Sequence, residues 1–327
     1  MLPGILSRVL LALALALTLA LTLAVALTVA VGKVAAAEAT PGTREAAERS
    51  SAASRPPGDL PPVFEYVLSE KEKSVGPAGE RLRALAGRVV VQGGRARWTL
   101  TASRFPRSRA SEALLDGRGG LVLVDPSARE VASGSAGDFQ SLFRATAAEG
   151  PSSTTFRDVS VLVTRAGEGR PFQDEPTARW VLKGSWVLSL VVPGRVSSVR
   201  TKIEGVVDVA APGGRLEGAR SGFDELLRLF PARGEAGEAV ARELEKVVGF
   251  PVHVSSVISA EESGEPLGGD PAKGPSLPLR IRVESTRDVS ELARRDGGKG
   301  DAALFAIPEE FRSRPVDRLL PPPEGPR

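Results

Sequence analysis

The feature that most constrains this fold is a pair of long alternating segments, residues 177–192 and 196–209, joined by Pro193-Gly194. Apolar and polar residues alternate along both segments, and this period of two predicts half-buried β-strands. Pro-Gly has the chemistry of a tight turn, so the two strands form a hairpin. Strands near 14 residues would span about 45 Å and far exceed the common length of about 5–6 residues. A sheet of such strands must coil strongly, which favours a curved or partly closed barrel over a flat sandwich.

A second constraint comes from residues 88–131, which predict an antiparallel meander with one face toward solvent. In its first hairpin, Ala96, Trp98 and Leu100 alternate with arginine and threonine. Glycine and aspartate supply the turns that hairpins of this kind require. The turn sequences are Gly93-Gly94, Asp116-Gly117 and Asp125-Pro126.

The remaining pattern predicts further strands and a few amphipathic helices. Apolar residues recur at helical spacing in three segments, each of which needs an apolar partner such as the concave face of the sheet. The polar run 69–83 predicts the end of the first strand and a solvated loop. The fold class is therefore mainly β (α+β), a strongly curved antiparallel half-barrel covered by a few amphipathic helices. The other predicted strands are 63–68, 156–164, 252–259, 277–286 and an edge strand at 304–308, and the helices are 139–143, 221–231 and 235–248.

The N-terminal residues 1–37 predict export. An uncharged run, residues 9–31, follows Arg8 and precedes the small-residue cleavage pattern Ala35-Ala36-Ala37. The run is longer than an ordinary signal peptide requires and reaches the ~20 residues that span a bilayer. A cleaved signal peptide and an uncleaved membrane anchor both remain open. Either one places the protein in the periplasm or on the extracellular side of the inner membrane.

Composition divides the rest of the chain into three parts. Residues 38–62 are rich in Ala, Ser, Pro and charge without an apolar period, which predicts a disordered linker. Residues 63–312 form the predicted half-barrel domain. Residues 313–327 are Pro-rich and are predicted to be a disordered tail.

The residue inventory argues against most catalytic chemistry. The chain has no cysteine and one histidine, His253, which excludes disulfides, Cys-based zinc sites and His-rich metal sites. His253 alternates with two valines and is expected to be structural, on the polar face of its strand. Neither a G-x-S-x-G elbow nor a phosphate-binding glycine loop occurs. We expect no enzyme, metal or cofactor, and interleaved charges also argue against nucleic acid. The oligomeric state stays open.

Several short motifs resemble the LolA/LolB-like superfamily of bacterial envelope proteins, over about residues 63–312. They follow an export signal, in the order that the superfamily shows. The resemblance implies a half-closed antiparallel barrel whose helices cover its mouth, and an apolar hollow that binds lipid or acyl chains. The motifs are Phe-x-Tyr at 64–66, G-x-V-x-x-x-G-x-R-x-R at 87–97, Val-Asp-Pro at 124–126, Gly-Phe-Pro-Val at 249–252 and Phe-x-Ile-Pro at 305–308.

Two hypotheses for function follow from this resemblance. In the first, the exported domain binds an apolar ligand, a lipid or an acylated protein, in its concave face. In the second, the domain is a membrane-tethered structural or interaction module with a filled core and no ligand, held at the membrane by residues 9–31. The same large apolar residues would line a hollow or form ordinary core. The candidates are Trp98, Trp180, Leu182, Trp186, Leu188, Phe223 and Leu227.

Overall fold

A computed structural model describes residues 60–76, 79–100, 110–118, 120–135, 153–192, 195–212, 215–216, 218–219, 234–262 and 280–319. The strands are β1 (Val63–Gly76), β2 (Gly79–Gln92), β3 (Arg95–Leu100), β4 (Glu112–Leu115), β5 (Gly120–Asp125), β6 (Glu130–Ser135), β7 (Ser153–Glu168), β8 (Thr177–Val192), β9 (Arg195–Ala210), β10 (Phe250–Glu262), β11 (Arg280–Arg295) and β12 (Arg312–Ser313). The helices are α1 (Gly234–Leu244), a 3-10 helix (Lys299–Phe305) and α2 (Val316–Leu319).

The strands form one large, open, curved sheet of twelve strands in the order β12-β6-β5-β4-β3-β2-β1-β11-β10-β9-β8-β7. Neighbours pair antiparallel along the sheet, except that β12 pairs parallel with β6. This architecture confirms the predicted fold class, a mainly β protein with a curved antiparallel sheet and few helices.

The long hairpin lies where the alternation predicts it. Strands β8 and β9 are each 16 residues long and pair continuously, from Thr177 opposite Ala210 to Val192 opposite Arg195. Meander strands β2 to β6 also pair in chain order, as the turn sequences predict.

The prediction of a solvated loop at residues 69–83 is wrong. Strand β1 continues to Gly76 and β2 begins at Gly79, so these residues form a hairpin of two 14-residue strands. Both faces of this hairpin are polar: Lys71 and Lys73 point outward, while Glu70 and Glu72 point inward and are buried. Alternation of side chains therefore continues without an alternation of hydrophobicity.

Helix α1 covers one face of the sheet, which we call the inner face; the other is the outer face. Val240 and Leu244 on α1 are fully buried against the sheet, as the predicted helix 235–248 requires. The helix ends earlier than predicted, and Gly249 then turns the chain at a φ of 125°. The predicted helices 139–143 and 221–231 lie outside the described residues.

The C-terminal segment wraps around the β6 edge. Ile307 and Phe311 pack on outward-facing side chains of β4 to β6, β12 then extends the edge, and Leu319 is buried with Ala132, which faces inward. The predicted edge strand at 304–308 is wrong, because a 3-10 helix ends at Phe305 and β12 forms the edge instead. Helix α2 lies beyond residue 312, within the segment that the sequence predicts to be a disordered tail.

The N-terminal side of the domain is tied to the sheet just before β1. The Gln92 side-chain amide donates a hydrogen bond to the carbonyl of Pro61 at 3.2 Å, so the last residues of the predicted linker lie against the β2–β3 turn. Residues 1–59, with the predicted signal peptide or anchor, lie outside the described residues. Within the described ranges, no helix has the length and hydrophobicity to span a membrane.

Candidate ligand-binding face

The inner face carries a large apolar cluster beneath α1, which we call the helix-side cluster. Leu182 and Trp186 of β8 lie here with Ile203 of β9, all at most 3% exposed. Because β8 and β9 alternate, each places every second residue on this face. The buried members are Val163, Leu182, Trp186, Ile203, Val207, Val209, Ala236, Val240, Leu244, Val247, Val254, Ile258, Ile281 and Val283, and Trp180 is half-buried beside them.

A second apolar cluster lies on the same face over β1 to β5, and we call it the meander-side cluster. Phe64 and Tyr66 are almost fully buried, and the Tyr66 ring meets Phe250 edge to face at 5.5 Å between centroids. Trp98 packs half-buried against this cluster. The buried members are Phe64, Tyr66, Leu68, Val89, Val91, Ala96, Ala113, Leu115, Leu121, Ala210, Leu216, Ala219, Phe250, Val252 and Val289.

A buried polar group interrupts the apolar inner face on β1, β10 and β11. Arg287 donates a hydrogen bond to Glu70 at 2.7 Å, and both side chains are almost completely buried. Glu72 lies opposite Ser285, and Ser256 lies opposite Ser285 on the other side. Burying an unpaired charge lowers the stability of the fold. The ion pair of Arg287 with Glu70 offsets that loss here.

The structure divides the predicted site residues among three places. Trp180, Leu182 and Trp186 come together in the helix-side cluster. Leu188 lies farther along β8 in a small cluster with Val199, and Trp98 belongs to the meander-side cluster. Phe223 and Leu227 lie outside the described residues. The predicted residues thus share the inner face but do not form one compact group.

The polar group on the inner face was missed by the sequence analysis. The structure places Glu70 and Glu72 on the same face of β1 as Phe64, Tyr66 and Leu68, but residues 69–74 are all polar, so no alternation of hydrophobicity marks this in the sequence. The polar run was therefore interpreted as the end of the strand. Arg287 gave no signal either, because its partner is contributed by a strand at the other end of the chain.

His253 lies on the outer face, as its alternation predicts. Its Nδ1 lies 2.6 Å from the Asp288 carboxylate, and the register places it opposite Asp208 on the other side. Asp208 is fully buried and accepts two hydrogen bonds from Arg179, both at 2.8 Å. Burial alone would raise the pKa of the Asp208 carboxyl, but hydrogen bonds from Arg179 and the Arg170 backbone outweigh it and hold that pKa below its ordinary value.

These acidic and imidazole groups do not meet the requirement for a metal site. Within the part of the chain that the structure describes, no group of three His, Asp or Glu residues could hold a metal ion. A small cleft of about 70 Å³ lies on the outer face between β3–β5 and the C-terminal segment. Small-molecule sites usually enclose ~300–1,000 Å³, so this cleft is too small for such a ligand.

No protein-family model matches this chain, and no curated protein matches it. Among solved structures, a provisionally assigned outer membrane lipoprotein-sorting protein domain from Vibrio parahaemolyticus aligns with a TM-score of 0.23 at 9% identity, over 79% of this chain and 94% of that one. Neisserial surface protein A aligns with a TM-score of 0.12 at 8% identity, over 69% of this chain and 96% of that one. Similarities this low carry no structural argument.

Proposed function

We propose that this protein is an exported, non-enzymatic envelope protein that binds an apolar ligand, a lipid or an acylated protein, on the inner face of its curved sheet. The supporting observation is that the inner face carries apolar side chains on both sides of its buried polar group. An apolar ligand gains affinity in proportion to the apolar area that it removes from water.

The aromatic residues indicate where such a ligand would lie. Trp98 and Trp180 face inward from the two clusters, and both are half-buried rather than enclosed. Tryptophan offers a large apolar surface, which suits the acyl chains of a lipid.

A second candidate function is a structural or interaction module with a filled core. The packing under α1 favours it: Leu182, Val240 and Leu244 are at most 1% exposed, so side chains already occupy the space between helix and sheet. In this alternative, residues 9–31 would hold the domain at the membrane, and its partner would be a protein that contacts its outside.

The deciding experiment is mass spectrometry of an organic extract from the full chain, expressed with export and purified from the periplasmic side without detergent. A phospholipid or fatty acid at about one molecule per chain supports the ligand-binding function. A clean extract from folded, monodisperse protein contradicts it and supports the filled module. An unrelated exported protein purified in parallel controls for carried-over lipid.

A further inference from the structure

We propose that the outer face of the sheet docks on an anionic lipid bilayer through a basic surface at the ends of its long strands. We call this surface the distal patch. It consists of outward-facing residues of β1, β2 and β8–β11. On β1 it begins at Lys71, and on the other strands it covers the positions that pair at the same level or farther from Val63. It lies on the opposite face from the proposed ligand site, so it goes beyond the proposed function and does not require a ligand.

The distal patch is assembled by cross-strand register. Residues paired across an antiparallel sheet point to the same side, so Lys73, Glu284 and Val257 share the outer face. Applied across six strands, the register brings together seven basic and four acidic residues, a net formal charge of +3. The basic residues are Lys71, Lys73, Lys183, Arg200, Lys202, Arg280 and Arg282, and the acidic residues are Glu80, Glu204, Glu261 and Glu284.

Three of the four acidic residues form ion pairs with basic residues of the same patch. Lys73 pairs with Glu80 at 2.9 Å, Arg280 with Glu261 at 2.7 Å and Arg282 with Glu284 at 2.8 Å. The excess of positive charge therefore concentrates on β9 and its neighbours, where Arg200 and Lys202 are both exposed. A basic surface of this kind attracts anionic lipid headgroups.

Two exposed apolar side chains border the basic residues. Leu82 is 72% exposed and Val75 is 41% exposed, and both face outward near the tip of the β1–β2 hairpin. Leu82 lies opposite Lys73, so an apolar group stands next to a cation. This combination fits the bilayer interface, where apolar side chains enter the boundary and cations meet headgroups.

The charge is local to the strand ends. The neighbouring set of paired residues, one step closer to Val63, lies on the same outer face but is not basic. It contains two carboxylates and one arginine: the residues are Arg179, Asp208, His253 and Asp288. A basic patch bounded by such a set orients the domain, because electrostatic attraction draws the distal end toward an anionic surface. The predicted export segment would keep the domain near a membrane.

The test places a fluorescent probe in the distal patch of the full chain. Because the chain has no cysteine, Ser259→Cys provides a single labelling site; Ser259 lies opposite Lys202 and Arg282. An environment-sensitive dye at this site reports local contact with lipid, even if residues 9–31 already hold the chain on the vesicle. Ala128→Cys, in the exposed β5–β6 turn, is the matched control site.

With phosphatidylglycerol-containing vesicles, we expect a blue-shifted, brighter emission from the dye at position 259 and none at position 128. Vesicles of phosphatidylcholine alone should give little change, and ~1 M salt should abolish the signal because the Debye length falls to about 3 Å. Each basic residue at an anionic surface raises the equilibrium constant for docking about fivefold. Arg200→Glu with Lys202→Glu should therefore lower the ratio of docked to undocked protein at least ~25-fold.

A second charge reversal separates the patch from the overall charge of the protein. Arg118→Glu with Arg129→Glu changes the net charge equally, but both residues are exposed in turns of the meander. This variant should keep the signal at position 259. Equal signals with both lipids, no signal at all, or equal losses in the two reversed variants would each overturn the proposal, with circular dichroism confirming that the variants fold. The lipid extract tests the inner face separately.

Discussion

Arg287 and Glu70 form an ion pair on the inner face although 217 residues separate them in the chain. Nη2 of Arg287 lies 2.7 Å from Oε2 of Glu70, and the two side chains are 10% and 6% exposed. The pair links β1 to β11. These two neighbouring strands connect the N-terminal meander to the C-terminal strands within the one sheet. The ion pair therefore lies where sequence-distant parts of the domain meet.

Breaking this ion pair should destabilise the fold strongly. Arg287→Met leaves the buried Glu70 carboxylate without its guanidinium, which typically costs about 3–5 kcal/mol. Combining it with Glu70→Leu removes both charges and should restore much of the lost free energy of unfolding. Urea denaturation of the wild type, both single variants and the double variant would measure the coupling.

An exposed ion pair of similar length provides the control. Arg88 lies 2.8 Å from Glu65 on the outer face, with side chains 64% and 37% exposed. Solvent screens this pair, so Arg88→Met should change the free energy of unfolding by less than about 1 kcal/mol. If the two arginine variants lose the same stability, burial does not control the strength of the Arg287 pair.

Asp208 should make stability fall at acidic pH. The pKa of its carboxyl is below the ordinary value of 3.8, because hydrogen bonds from Arg179 and the Arg170 backbone outweigh the opposing effect of burial. A carboxyl whose pKa is lower in the folded state stabilises the fold above its unfolded pKa, and that contribution disappears as pH falls through the folded pKa. We therefore expect its contribution to be complete at pH 6 and to decline below about pH 4.

Asp208→Asn separates this effect from general acid unfolding. The free energy of unfolding of the wild type and the variant would be measured from pH 7 to pH 2. Their difference should be largest near neutral pH and shrink as Asp208 protonates. A difference that stays constant with pH would show that the variant loses packing or hydrogen bonds rather than a charged interaction.

The sheet was largely predictable from sequence because its strands alternate clearly. The period of two and the Pro-Gly turn locate β8 and β9 without any knowledge of distant contacts. The hairpin of β1 and β2 was not predicted, because its inward-facing residues Glu70 and Glu72 are charged and the alternation of apolar and polar residues stops after Leu68. The buried charge of Glu70 is matched by Arg287 of β11, a partner that local sequence cannot reveal.

The candidate site was less predictable than the sheet. Alternation assigned Trp180, Leu182 and Trp186 to a common face, and the structure brings these three together. It could not show that Trp98 belongs to a separate cluster, because the order β2-β1-β11-β10 depends on pairing between residues far apart in the chain. The sequence also did not predict helix α2, because its position depends on the sheet residues that Leu319 contacts and not on the residues next to it in the chain.

Leu319 should anchor the C-terminal segment. It is 1% exposed and packs with Ala110, Ala132 and Leu123 on the inner face. Leu319→Ala should lower the free energy of unfolding by about 2–5 kcal/mol, the range for truncating a buried leucine. Leu162→Ala, at a position 55% exposed on β7, should change it by no more than about 0.5 kcal/mol. Similar stability for both variants in urea denaturation would contradict this packing role.

Trp180 and Trp186 should respond differently to truncation, although they lie on one face of β8. Trp186 is 3% exposed within the helix-side cluster, so Trp186→Ala should destabilise the fold by about 3–5 kcal/mol. Trp180 is half-buried at the margin of that cluster, so Trp180→Ala should have a smaller effect on stability.

The ligand proposal makes a further distinction between these two tryptophans. If Trp180 contacts a bound lipid, Trp180→Ala should retain most of its fold but carry much less lipid in its organic extract than the wild type. Urea denaturation and mass spectrometry on the same preparations would measure both properties. A Trp180 variant that keeps its full lipid content would remove this residue from the ligand site. Large destabilisation with an unchanged lipid-to-protein ratio would assign it to the core, since a side chain that only fills space affects the fold before it affects a ligand.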